Sequence, residues 1–171
     1  MQKRDAALRR VNLNHDGGSL QSLAVRTCSV PFLFVRTFAV NLSHPFCTTL
    51  SVRGYELDVF GHVNNAVYLN YFEHCRWEAF RQLGGDVQEG GAQMVVRKLT
   101  VEYLAAAYLF DELEVSLWVE RLGTTSATFG QAIKRRADGV SLATAEVVVV
   151  TIDAQGRPTG LPTWIREQVE A

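Results

Sequence analysis

Cysteine is scarce in this chain: Cys28, Cys47 and Cys75 stand far apart and are odd in number. That spacing excludes a disulfide framework, and no CxxC pair or Cys/His run with zinc spacing occurs, so no metal is expected. Scattered thiols fit a reducing compartment. A dominant charge is lacking too. The net charge of −1 gives no reason to expect nucleic acid or an anionic membrane as partner. Long hydrophobic runs are absent: the most apolar stretch, Ser29 to Val40, is interrupted by Pro31 and Arg36, too short and too broken to span a bilayer. There is no internal repeat and no low-complexity segment. What remains is ordinary: 171 residues, 47% apolar and 20% charged, suited to one domain with a full core.

The near-zero net charge hides an asymmetry. Residues 1–45 carry six basic residues against two acids, whereas residues 46–171 carry eleven against sixteen. The first segment shows little periodicity. Three readings fit it: an acid-poor organelle transit peptide, sequence upstream of the true start, or an arm packed on the domain. The domain proper is expected over 46–171, and the expected location is cytoplasmic, with organelle import as the alternative if 1–45 is a leader.

Within the domain, Cys47–Tyr55 reads as a strand. Turn chemistry at Gly61 and Asn64 follows, and a helix is expected from near Asn65. Tyr68, Tyr71, Phe72, Cys75, Ala79 and Leu83 form one apolar stripe, with Asn70, Glu73, His74, Glu78 and Arg81 opposite. Gly84-Gly85 supplies the stop. Everything after Met94 reads as β. Val95, Leu99, Val101 and Tyr103 are expected to share one face of the next strand. Leu113, Val115, Leu117 and Val119 alternate cleanly in the one after it. Phe129 and Ile133 mark a further strand, Asp138-Gly139 a hairpin turn, and the Val147–Val150 run a strand buried on both faces. Pro162 is placed to open a short closing helix. One strand, one long helix and four antiparallel strands imply an α+β fold, a five-stranded sheet wrapped around a central helix.

The chemistry concentrates in LDVFGHVNNAVYLNYFEHCRWEAF, Leu57 to Phe80. Asp58 lies seven residues ahead of the expected helix start. The first N–H groups of a helix have no intrahelical acceptor and carry partial positive charge, which suits a developing oxyanion. A carboxylate beside such a helix end has the parts that acyl transfer needs. From the spacing alone, a solvated loop acid, or a cap of its own turn, is the commoner case. His62 admits an acid–base role, but we read it as a strut fixing the turn. Asn64 or Asn65 caps the helix, without the acidic third residue of a capping box. Tyr68, Tyr71, Phe72 and Trp77 suit the core or a subunit contact, and Tyr68 is the early helix aromatic that could also line a pocket. Lys134-Arg135-Arg136 is either a solvated hairpin end or a cluster for substrate phosphates.

The run YELDVFGHVNNAVYLNYFEHCR resembles the hot-dog-fold thioesterases of the 4-hydroxybenzoyl-CoA thioesterase type. The resemblance rests on Asp58, Gly61, His62, Val63, Asn64, Asn65, Tyr68, Tyr71, Glu73 and Arg76, and extends through VEYLAAAYLFDELEV and IDAQGRPTGLPTWIRE. The usual Gly-Asp ahead of the third strand is Phe110-Asp111 here. The resemblance implies a hot-dog fold, an acyl-CoA or acyl-carrier-protein substrate and no cofactor. Asp58 is then the general base or nucleophile and the Asn65 backbone N–H the oxyanion donor, in a site completed by a second subunit of a homodimer or homotetramer. Hydratase or dehydratase chemistry on an acyl thioester and non-catalytic acyl-CoA binding are the rival expectations.

Overall fold

In the computed structural model, residues 45–85 and 88–170 are described. The basic extension over 1–45, apart from Pro45, lies outside them. The chain runs β1 (Phe46–Ser51), α1 (Asn65–Gln82), β2 (Gln93–Tyr103), β3 (Glu112–Leu122), β4 (Ser126–Arg135), β5 (Ser141–Ile152) and α2 (Thr163–Glu170). The sheet order is β1-β3-β4-β5-β2, and every neighbouring pair is antiparallel. This is the hot-dog arrangement, with α1 packed against the sheet face at β1 and β3. Among the described residues, no helix is long and apolar enough to cross a membrane.

The expected stripe of α1 is the buried one. Tyr68, Tyr71, Phe72, Cys75 and Ala79 are all buried, joined by Phe80. Phe72 sits at its centre, and a buried phenylalanine stabilises a core by about 3–5 kcal/mol relative to alanine. The helix stops where the sequence says it should. Gly84 takes φ 67°, its N–H reaching the Arg81 carbonyl while that of Gly85 reaches Phe80, the paired bonds of a Schellman cap. Trp77 is half exposed, so its ring is not part of this core.

The facing strands also follow their alternation, with two differences. Leu113, Val115 and Leu117 of β3 and Phe129 and Ile133 of β4 are fully buried. Between the last two, Gln131 is just as buried, an amide where the pattern expects an apolar side chain. The second difference is in β2. Its register against β5 shifts between Val96 and Lys98, so Arg97 is an extra residue, a β-bulge that reverses the alternation. Val95 therefore lies opposite Val150, while Leu99 lies opposite Val147. Val95 is turned away from the face it was expected to share with Leu99. The Val147–Val150 run is buried at Val147, Val149 and Val150, with Val148 in between only half-buried.

Candidate active site

The segment between β1 and α1 folds as a short 3-10 turn, Gly54–Glu56, and then a tight loop. Glu56 is a buried acid. Its Oε2 accepts from the Arg53 N–H and the Tyr71 hydroxyl, each at 2.7 Å, and its carbonyl accepts from the Asn64 N–H at 2.9 Å. Burial and then the Glu56 carboxylate raise the Tyr71 phenol well above its ordinary range, so Tyr71 stays a neutral donor. Glu56 thus ties both ends of the loop to the helix before any chemistry is placed on it.

Asp58 begins the loop. Its N–H donates to the His62 carbonyl at 2.9 Å and its carbonyl accepts from the Gly61 N–H at 3.1 Å. That closure needs the positive φ of Gly61, 80°, which a side chain would disfavour. One carboxylate oxygen of Asp58 accepts from the Phe60 N–H at 2.8 Å; the other faces His62 Nδ1 at 3.2 Å. A carboxylate has about four acceptor positions, so capacity is left for a further proton donor. His62 also stacks on Phe60, 5.9 Å between ring centroids, and its backbone bridges to Tyr108. These contacts set the histidine between the carboxylate and the Tyr108 segment.

Asn64 is the N-cap. Its Oδ1 accepts from the Ala66 N–H at 2.9 Å and its carbonyl from Val67 at 2.9 Å. Asn65 is the first helical residue, and by geometry its N–H has no intrahelical acceptor. Asn64→Ala should cost about 1 kcal/mol of stability, read from urea unfolding, with Asn64→Asp close to wild type.

Asp58, His62, Val63, Asn65, Tyr68, Tyr103, Leu104, Ala105 and Ala106 line one open cleft of about 330 Å³. Four of the sequence candidates, Asp58, His62, Asn65 and Tyr68, therefore meet in it. The Tyr68 hydroxyl accepts from the Ala107 N–H at 3.0 Å, and burial raises its pKa, keeping it neutral. Asn64 is turned to its cap instead. Lys134, Arg135 and Arg136 line a separate recess of about 170 Å³ with Glu114 and Gly139. Arg135 already donates from each of its three nitrogens, to Asp111 and Asp138 carboxylates and to the Ala106 carbonyl. The sequence reading missed the wall formed by Tyr103 to Ala106; the small residues Ala105-Ala106-Ala107 between two strands were the available signal for a close backbone approach. Tyr103 also reaches the helix start, its hydroxyl donating to the Asn65 carbonyl at 2.9 Å.

The family model of the thioesterase-like superfamily matches residues 52–169, which contain the whole cleft. The chain belongs to that superfamily. Superfamily relatives include the chloroplastic acyl-acyl carrier protein thioesterase ATL3 of Arabidopsis thaliana, 29% identical over 84% of this chain and 82% of its own. The long-chain acyl-CoA thioesterase FadM of Escherichia coli is 31% identical over 72% of this chain and 96% of its own. Among superfamily structures, a thioesterase from Thermus thermophilus complexed with coenzyme A and zinc is 36% identical over 73% of this chain and 97% of its own, with a TM-score of 0.65. Among the described residues of this superfamily member, no group of three or more His, Cys, Asp or Glu side chains is placed to hold a metal.

Proposed function

We propose that this thioester hydrolase acts on an acyl-CoA or acyl-carrier-protein thioester at the Asp58 cleft. The observation that carries the reading is that Asp58 and the first residue of α1, Asn65, border one cleft in a member of the thioesterase-like superfamily. As general base, Asp58 takes a proton from water while the water oxygen attacks the thioester carbonyl carbon. The carbonyl oxygen becomes an oxyanion facing the Asn65 N–H. Collapse breaks the C–S bond, and the thiolate leaves with the proton held by Asp58, giving a free acid and a free thiol. In the nucleophilic variant, the carboxylate attacks the carbonyl carbon and the C–S bond breaks to release the thiolate. Water then hydrolyses the resulting mixed anhydride to the free acid and restores Asp58, and the proton released goes to the thiolate. His62 orients the carboxylate in either case, and Tyr68 and Tyr103 form the wall beside the acyl group. Lys134 and Arg136 are the exposed cations on which phosphates of a nucleotide-bearing substrate would dock.

A second copy of the chain completes the site in this reading. Support comes from β2, an edge strand among the described residues, on which Val95, Val96 and Tyr103 are exposed. An unpaired apolar edge is a template for pairing with another chain.

One contact favours a second chemistry. The Asp58–His62 pair, 3.2 Å apart, resembles the acid–base pairing a hydratase uses. Incubation with a 2-enoyl-CoA and a saturated acyl-CoA, followed by mass spectrometry, separates the two. Free acid plus free coenzyme A is the result expected; 3-hydroxyacyl-CoA with the thioester intact would replace hydrolysis by hydration.

A further inference from the structure

We propose that Arg135 is a positioning residue which, with Asp111, clamps two consecutive peptide groups in and beside the cleft wall opposite Asp58 and the start of α1. The proposal rests on the reading of that cleft as the active site. Leu104 to Asp111 connects β2 to β3 without regular structure, so its backbone polar groups need partners from elsewhere. The Ala106–Ala107 peptide is held at both ends: its carbonyl accepts from Arg135 Nη2 at 2.7 Å and its N–H donates to the Tyr68 hydroxyl at 3.0 Å. The next peptide is held likewise. The Ala107 carbonyl accepts from the Val63 N–H at 2.9 Å, and the Tyr108 N–H donates to Asp111 Oδ2 at 2.9 Å. That same oxygen accepts from Arg135 Nε at 2.9 Å, and Nη1 ends on Asp138 at 2.9 Å.

One guanidinium, its side chain 19% exposed, therefore joins the end of β4 to the wall. The wall in turn is joined to α1 through Tyr68 and to the Asp58 loop through Val63 and the His62–Tyr108 bridge. Arg135 touches neither Asp58 nor Asn65, yet it fixes the strip to which both of their elements are attached. A planar fork binding at three nitrogens is not reproduced by an ammonium, and charge-assisted bonds of this kind are stronger than neutral ones. Misplacing a catalytic group by about 1 Å costs on the order of 10²-fold in rate. This role also accounts for Arg135 being the least exposed residue of the Lys134–Arg136 run.

The test is steady-state hydrolysis and backbone amide exchange for Arg135→Met and Asp111→Asn, singly and together, with Asp58→Asn alongside. Both single variants should lower kcat by about 10- to 10²-fold while KM and coenzyme A affinity move less than about threefold. Exchange at residues 104–108 should accelerate, the double variant should be no worse than the poorer single, and guanidinium added well below denaturing concentration should restore part of the Arg135→Met rate. Asp111→Asn, which keeps shape and volume, carries the test if Arg135→Met does not fold. An unchanged kcat overturns the proposal. So does a rise in KM with weakened coenzyme A binding alone, which would make Arg135 a phosphate ligand. If instead Asp58→Asn keeps full turnover, the active-site reading has failed, and amide exchange still reports on the clamp separately.

Discussion

Asp58→Asn should abolish most hydrolysis while leaving the fold in place. Removing a positioned general base or nucleophile costs about 10²- to 10⁴-fold in rate, and the loss should fall on kcat with KM little changed. Asparagine keeps the shape of the side chain and one oxygen to accept from the Phe60 N–H, now at 2.8 Å. The loop closures of the backbone, Asp58 to His62 and Gly61 to Asp58, do not involve the carboxylate. What asparagine lacks is the proton-accepting oxygen opposite His62 Nδ1. Circular dichroism and melting temperature should therefore match wild type while thiol release collapses. Asn65→Ala provides the contrast. Its exposed side chain is removed but its N–H stays, so the loss should be at least about tenfold smaller than for Asp58→Asn, because an oxyanion donor acts through its N–H.

Gln131→Leu should be the most damaging substitution for stability among the polar core residues. Gln131 is fully buried, its Oε1 accepting from Arg76 Nη1 at 2.8 Å and its Nε2 donating to the Phe72 carbonyl at 2.9 Å. Arg76 is itself only 6% exposed, and burial lowers its pKa, the sign of a cation held where charge is disfavoured. Leucine fills the volume but withdraws the acceptor from that guanidinium, and a buried charge losing its partner costs about 3 kcal/mol. Urea unfolding should show the free energy of unfolding fall by that amount, through a lower midpoint at unchanged slope. Pairing it with Arg76→Met should recover a large part of the loss, since two apolar groups of similar shape replace a hydrogen-bonded pair at little cost. Strict additivity of the two losses would show that the pair is not coupled.

These two residues mark how far the sequence could be read. Asp58 stood out because a long specific motif surrounds it, although its spacing alone favoured an idle loop acid. The stripe from Tyr68 to Leu83 was legible because helix period is a local property, and the Gly84 stop because a left-handed cap asks for a particular residue. Gln131 was not legible: it sits at an inward position of β4 between Phe129 and Ile133, and only the arrival of Arg76 and Phe72 from α1 gives its amide a purpose. Val95 was assigned to the wrong face because Arg97 adds a residue that no turn signal announces. Lys134-Arg135-Arg136 reads as one cluster along the chain, yet Arg135 is claimed by Asp111, 24 positions away. Phe110, in place of the usual glycine, adopts φ 65°, a conformation that the sequence departure alone did not reveal. Pairings between distant residues decide each of these, and periodicity carries no trace of them.

The central claim is that the chain releases thiol from acyl thioesters. It is tested most directly by continuous measurement of free thiol from a panel of acyl-CoA substrates, acetyl through palmitoyl with several aromatic thioesters, using the purified chain. The account predicts saturable, multiple-turnover release on at least one member, with the free acid formed in equal amount. Tight binding of acyl-CoA with no thiol released across the whole panel, and none from the matching acyl-carrier-protein thioesters, would contradict it.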